Sequence, residues 1–237
     1  MKYIVTLGMR EGEETAIVQQ QHKARISDML VTDSQIEQYV TNFVKEPSQE
    51  LLDAGWGWGG ADDTGIIMFD EIWTREPINV ASLFEGEQLI GVYEVDEVIL
   101  RTVPGVWPEG EKSPWIKRIG LLKCFTDQRV EDFHAYWRKN HGELALTHHV
   151  GAAIYKQNHI TDAIVPAPSE WNGIVMLSYW NANAFAWGHF PRGDSMAAIK
   201  EDGSHFMEVF RAFCAEEYIV KRGDAEPGMV PNKAIIL

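Results

Sequence analysis

YEVDEVILR (93–101) and FCAEEYIVKR (213–222) occupy the two halves of a 237-residue chain, and each sets a pair of acids before a β-branched run that closes on a base. Their shared pattern predicts two equivalent final strands and, with the element order around them, an internal duplication. Asp96-Glu97 and Glu216-Glu217 are adjacent in sequence. Neighbouring side chains on a strand point to opposite faces, so neither pair can form an acid/base dyad.

Outward from 213–222, the second half reads β-α-β-β-α-β. WIKRIGLLKCF (115–125) is a strand, and Thr126 or Asp127 can cap a helix whose apolar content is Val130, Phe133, Ala135, Tyr136 and Trp137. AAIYKQNHI (152–160) and GIVMLSYW (173–180) are strands, and a helix covers 195–206 with a break near Gly203. The first half follows a similar order, its second strand being indistinct. A strand spans 3–7, and the residues 32–35 open a helix carrying Ile36, Tyr39, Val40 and Phe43 that stops before Pro47. Strands are expected at 66–73 and 90–101, with a short helix at 79–86. The proline- and glycine-bearing run around 104–114 separates the halves. The expected organisation is therefore 1–103, a linker 104–114, 115–222, and a tail 223–237 whose apolar end docks on the barrel or on a second copy, leaving a homodimer open. Each β-α-β-β-α-β unit makes a four-stranded antiparallel sheet with both helices on one face. Two such sheets in one chain can cover each other's bare faces, with ligand pockets between sheet and helices or in the barrel mouth.

Thirty-five acids against 21 bases leave a net charge of −14. Nucleic-acid backbones and anionic membranes both reward surplus lysine and arginine, so neither is an expected partner. Two cysteines, Cys124 and Cys214, make no disulfide scaffold and are expected as free thiols. With no apolar run near the roughly 18 residues of a membrane span and no signal-like start, the expected setting is cytoplasmic.

HAYWRKNHGELALTHH (134–149) holds four of the eight histidines. A metal is not expected there. His134, His141 and His148 recur every seven residues, which on a helix separates neighbours by roughly 10 Å, whereas zinc ligands must converge to about 2 Å from the ion. Singly, His134 reads as an exposed helix residue, His141 as a C-terminal histidine on the helix dipole before Gly142, and His148 and His149 as loop residues. Along 152–160, Tyr155, Gln157 and His159 share one face, while Ile154, Lys156 and Asn158 share the other. A Tyr–Gln–His face suits a pocket wall that hydrogen-bonds a phenol or carboxylate. In the glycine-rich stretch GWGWGGADDTG (55–65), Trp56 and Trp58 are expected to plug one barrel end rather than lid a ligand; it is no phosphate loop.

The run from Phe133 through Tyr136-Trp137-Arg138, His141, Gly142 and Leu144 to Tyr155, Gln157, Asn158 and His159 resembles the signature of the EthD-like family of the dimeric α/β-barrel superfamily. The resemblance covers 115–222; the first half is similar only in element order and final strand. It implies an α+β fold of two ferredoxin-like halves in one chain, their antiparallel sheets packed as a pseudo-dimer of the dimeric α/β-barrel type. It also implies a pocket for chemistry on aromatic or polyketide-like compounds without a cofactor. His141 carries over as general acid/base, suited by an ordinary pKa of about 6.5, with His159 and Tyr155 beside it. Tyr136, Trp137, Gln157, His149, Tyr179, His189 and Arg192 are the expected substrate-binding residues, and Arg138 is expected in a surface ion pair unless it holds a carboxylate. The expected activity is a lyase acting on a phenolic, aromatic or polyketide-like carboxylic acid, decarboxylation ahead of dehydration or cyclisation. A cofactor-free monooxygenase and a non-catalytic hydrophobic-ligand-binding protein are the alternatives.

Overall fold

The computed structural model describes the chain except 33, 57–63, 104–107, 169, 192 and 224–237; the side chains of 31 and 32 are also left aside. Trp58, Arg192, the middle of the linker and the tail beyond Gly223 therefore lie outside the described residues.

The described chain runs β1 (Lys2–Gly8), α1 (Thr15–Thr32), β2 (Ile36–Lys45), α2 (Gln49–Asp53), β3 (Met68–Thr74), a 3₁₀ turn (Val80–Phe84) and β4 (Gln88–Arg101). It continues with β5 (Ile116–Lys123), α3 (Val130–Tyr136), a π-helical turn (Trp137–His141), α4 (Gly142–His148), β6 (Ala152–Val165), β7 (Gly173–Tyr179), α5 (Ala182–Gly188), α6 (Ser195–Gly203) and β8 (Val209–Lys221). The fold is α+β. The eight strands close into a barrel in the order β1-β3-β2-β8-β5-β7-β6-β4, every neighbour antiparallel. Within it, β1 to β4 stand as β4-β1-β3-β2, and β5 to β8 repeat that order as β8-β5-β7-β6.

Strand alternation divides the apolar residues into three cores. Ile4, Phe69, Val95, Ile119, Met176 and Phe213 fill the barrel. Tyr3, Val5, Tyr39, Phe43 and Ile72 lie outside it, under α1. Phe133, Trp137, Tyr155, Leu177 and Phe206 form the third core, outside the other side of the barrel beneath α3 to α6.

The expected helix over 36–43 is strand β2. Positions 36, 39, 40 and 43 satisfy a helical period, but the residues are β-branched or aromatic and suit a pleated surface. The helix of this half lies earlier, as α1. Its inward side carries Gln19, His22 and Ile26, all buried, so polar residues conceal the amphipathic stripe. Gln19 Nε2 donates to the carbonyls of Val44 and Ile67 at 3.2 and 3.0 Å. Part of the expected linker is held by β8: Gly110 and Ser113 amides donate to the carbonyls of Ile219 and Glu217.

His22 is the main electrostatic feature under α1. Its Nδ1 lies 2.9 Å from Glu87, and its Nε2 is 2.8 Å from Asp70, whose carboxylate also accepts the Tyr39 hydroxyl at 2.6 Å. Burial opposes the charge on this ring, but Asp70 and then Glu87 outweigh it and raise the pKa to about 9. A histidine raised from about 6.5 stabilises the fold fully below its unfolded value, and that contribution fades as pH climbs through the folded value. Urea unfolding should therefore show stability falling between about pH 6.5 and 9, by at most about 3 kcal/mol. His22→Asn should flatten this segment of the profile. An identical slope in the variant would show that His22 is not the titrating group.

Candidate active site

The third core is incomplete. Between the outer face of β5, β6 and β7 and the helices above it lies a narrow cleft of about 30 Å³, open at its mouth. Its walls include Arg118, Trp137, His141, His149, Tyr155 and His189, with Leu122, Val175, Leu177, Ile199, Met207 and Phe210 supplying apolar surface.

Local backbone features build this wall. α3 begins after Arg129, with no side-chain cap from Thr126 or Asp127. The expected helix end at His141-Gly142 is absent: the helix widens into the π turn and continues through α4. Such turns are frequent at functional sites because they re-aim side chains. Here the turn carries both Trp137 and His141. Gly173 makes room for the indole, since a Cβ there would sit 2.5 Å from Trp137. Arg101, the closing base of 93–101, then caps the structure, donating to the carbonyls of Leu146, His149 and Ala152 at 2.9, 2.7 and 3.0 Å. This satisfies carbonyls that a helix C-terminus leaves open.

His141 Nδ1 bonds Asp202 Oδ2 of α6 at 2.6 Å, and the Tyr136 hydroxyl donates to Asp202 Oδ1 at 2.8 Å. Burial works to raise the Asp202 pKa, but the bonds from His141 and Tyr136 overcome it and hold the carboxyl below its ordinary value. A carboxylate on Nδ1 favours the tautomer with the proton there, leaving the Nε2 lone pair for chemistry.

A second cluster lies along the wall. His149 and His189 stack at 4.3 Å between centroids. Their approach requires the Gly151–Gly188 contact, where a Cβ on Gly188 would fall 2.2 Å from the Gly151 Cα. His149 Nδ1 donates to the His189 carbonyl at 2.7 Å, and the Tyr179 hydroxyl lies 2.5 Å from His189 Nδ1. Burial drives the His149 pKa down to about 3 and the His189 pKa well below its ordinary value, so both rings are neutral. Arg118 is 1% exposed, lies over the Trp56 ring at 5.0 Å and donates to the Trp56 carbonyl at 3.2 Å. Burial lowers its pKa only to about 10, which keeps a cation in the cleft at neutral pH.

Of the residues expected from sequence, His141, Tyr155, Trp137, His149 and His189 meet in one cleft. His159 does not line it. Its ring packs 4.7 Å from Trp137 and 4.8 Å from His134, and its Nε2 lies 3.1 Å from Gln157 Oε1. Gln157 in turn donates to the Trp137 carbonyl at 2.9 Å. Burial first, and then the neighbouring His134 and Arg138, push the His159 pKa down to about 3. Alternation placed Tyr155, Gln157 and His159 on one face correctly, but Trp137 covers the last two. Tyr136 and Tyr179 do not line it; their hydroxyls lie 2.8 Å from Asp202 and 2.5 Å from His189. Arg138 forms the expected surface pair, 2.6 Å from Asp96. Trp56 is no barrel plug: it packs on Phe185 at 4.7 Å, among the residues of this core. Cys124 and Cys214 are free thiols, the first buried and the second half-buried.

Asp202, Arg118 and Trp56 were not expected here. Arg118 had a signal, two bases (Lys117 and Arg118) inside a strand otherwise rich in apolar residues. Asp202 had none, since the fold alone brings it to His141. Among the described residues, no three His, Cys, Asp or Glu side chains converge to hold a metal ion, and no helix is long and apolar enough to cross a membrane.

No family model matches the sequence, and comparison with curated proteins gives no similar sequence. Solved structures share the fold. An anthrone oxidase-like protein superposes with a TM-score of 0.58 at 7% identity over 92% of each chain. A candidate monooxygenase from Fusobacterium nucleatum gives 0.54 at 6% identity over 94% of each chain. At such identities the likeness is one of fold.

Proposed function

We propose that the protein is an enzyme that oxygenates a small phenolic or anthrone-type aromatic without a cofactor, using His141 as its proton acceptor. The observation that carries this reading is the His141–Asp202 pair at the edge of an aromatic-walled cleft that also holds the buried Arg118 cation. The repeated strand order supports a companion proposal, that residues 1–103 and 115–222 are two ferredoxin-like halves of one pseudo-dimer. The fold neighbours, an anthrone oxidase-like protein and a candidate monooxygenase, favour oxygenation over the lyase reading.

His141 Nε2 removes a proton from an acidic methylene between aryl rings, and Arg118 stabilises the resulting anion. The anion passes one electron to dioxygen. The two radicals join in a C–O bond, and the peroxide takes back a proton. Loss of the second methylene proton with cleavage of the O–O bond releases water and leaves a ketone. Dioxygen is the oxidant throughout, and CH₂ plus O₂ becomes C=O plus H₂O. Decarboxylation stands second, favoured by the same Arg118, which suits a carboxylate.

The test is simultaneous measurement of oxygen uptake and CO₂ release over a panel of anthrones, naphthols and hydroxybenzoic acids. The proposal expects one O₂ consumed per ketone formed and no CO₂. CO₂ release without oxygen uptake would replace oxygenation by the lyase. No turnover anywhere in the panel would overturn the enzymatic reading.

A further inference from the structure

Tyr179 ends β7 and is wholly buried, and among the described residues its hydroxyl has one partner, His189 Nδ1 at 2.5 Å. A phenol has a single O–H to donate. If Nδ1 carried the imidazole proton, that O–H would be left buried without an acceptor, which is unfavourable. The bond therefore runs from Tyr179 to Nδ1, and the neutral His189 ring holds its proton on Nε2. Burial raises the Tyr179 pKa and so keeps the phenol proton in place.

No acceptor among the described residues meets that Nε2–H. His189 lines the cleft and is 3% exposed, yet its Nε2 has no hydrogen-bond partner. His149, stacked on the same ring, has the opposite polarity: its Nδ1–H is held by the His189 carbonyl, which leaves Nε2 as an acceptor. None of the residues lining the cleft is a carboxylate, and Arg118 carries the standing charge. Water at the cleft can satisfy the donor, but a ligand that displaces the water must bring an oxygen of its own. Beside a cation and out of bulk water, an anionic oxygen gains most from such a donor. The proton acceptor stands elsewhere on the wall. Burial is the largest cause of the lowered His149 pKa and His141 contributes to it, whereas the groups that act with burial on His189 are His149 and Arg118.

We infer that His189 Nε2–H is an oxyanion donor: it binds the oxygen on which negative charge gathers once His141 has taken a proton from the other end of a conjugated substrate. Tyr179 is the positioning residue that keeps the proton on Nε2. The inference rests on the proposed oxygenation for its place in turnover, and it narrows the substrate to a ring whose carbonyl oxygen is conjugated with the acidic C–H or O–H. For an anthrone-type substrate the C–H bond breaks, its proton passes to His141 Nε2, and its electron pair moves through the ring to turn the C=O into an enolate C–O⁻.

4-Hydroxybenzaldehyde tests this without turnover, because its phenolate carries charge to the aldehyde oxygen and absorbs at longer wavelength than the phenol. Titrated into the intact protein at a pH below its own pKa, it should bind saturably as the phenolate. His189→Phe, which keeps a ring in the stack and removes the donor, should weaken the phenolate by about 10- to 100-fold, the range of a charge-assisted hydrogen bond. His189→Gln, whose amide restores an N–H donor, should recover most of that affinity. Tyr179→Phe should give an intermediate loss, since the imidazole proton is then free to move to Nδ1. 4-Ethylphenol, which has the hydroxyl and no far oxygen, should bind the native protein and all three variants alike, with circular dichroism unchanged. An equal loss for both ligands would reduce residue 189 to packing and overturn the inference. So would native-like phenolate affinity in His189→Phe, binding only as the neutral phenol, or no saturation by about 10 mM. Oxygen uptake is read separately. Uptake that ignores the change at 189 would keep the oxygenation and remove the donor, while phenolate binding through His189 with no uptake would keep the donor and remove the oxygenation.

Discussion

Replacing His141 with alanine should lower kcat on a phenolic or anthrone-type substrate by about 10²- to 10⁴-fold, the usual worth of a positioned general base. The effect should fall on kcat more than on KM, because in the proposed reaction the imidazole acts on the transferred proton while Trp137, Tyr155 and Phe210 hold the ring. Asp202→Asn should also slow turnover. An amide can present its NH₂ to Nδ1 and favour the other tautomer, which places the proton on Nε2 where the lone pair is needed. Unlike His141→Ala, this variant retains the base, so it should keep more activity than His141→Ala. His159→Ala should do less to kcat than His141→Ala, because His159 supports Trp137 from behind. Comparable losses at 141 and 159 would return His159 to the chemistry and require a different substrate position.

The largest expected effect on stability lies inside the barrel. Glu71 accepts Lys2, Lys117 and the Asn42 amide, and all four side chains are buried. Burial opposes its charge, but Lys117 and then Lys2 outweigh it and hold the carboxyl well below its ordinary value. Glu71→Ala leaves Lys2 with Glu97 and Asn158 and Lys117 with Glu217, but it removes the carboxylate the two share and leaves one buried positive charge in excess; breaking a buried pair in this way costs about 3–5 kcal/mol. For a chain of this length that corresponds to a fall in Tm of roughly 6–20 °C. Acid should act in the same direction. A depressed carboxylate contributes above its unfolded pKa and loses that contribution as pH falls through the folded value. A loss below about 1 kcal/mol in Glu71→Ala would mean that the lysines find water or other acceptors without strain.

Glu71 also shows how far the sequence could be read. The opposite-facing pairs in 93–101 and 213–222 were legible, and their outcome is specific. Glu97 and Glu217 enter the barrel to meet lysines, while Asp96 and Glu216 turn outward to Arg138 and Lys112. Alternation is a local property, so it survives without knowledge of the partners. β2 was not legible, because Ile36, Tyr39, Val40 and Phe43 keep a helical spacing and no strand alternation, the strand being buried on both faces with Tyr39 and Phe43 outside the barrel and Val40 within it. α1 was hidden by the glutamine and histidine on its buried side. In the candidate site, His141 carried a recognisable pattern on its own stretch. Asp202 and Trp56 reach it from distant elements with nothing in their local sequence to point there, and Arg118 carried only the signal of a base inside an apolar strand. His159 illustrates the converse. A strand face tells which residues point the same way, not which of them a helix residue such as Trp137 will cover.

The most direct test of the account is a crystal structure with a bound phenolic inhibitor. The phenol oxygen should lie about 2.6–3.2 Å from His141 Nε2, with the ring against Trp137 and Tyr155. An inhibitor seated in the barrel mouth or under α1, with the cleft beside His141 left vacant, would contradict it.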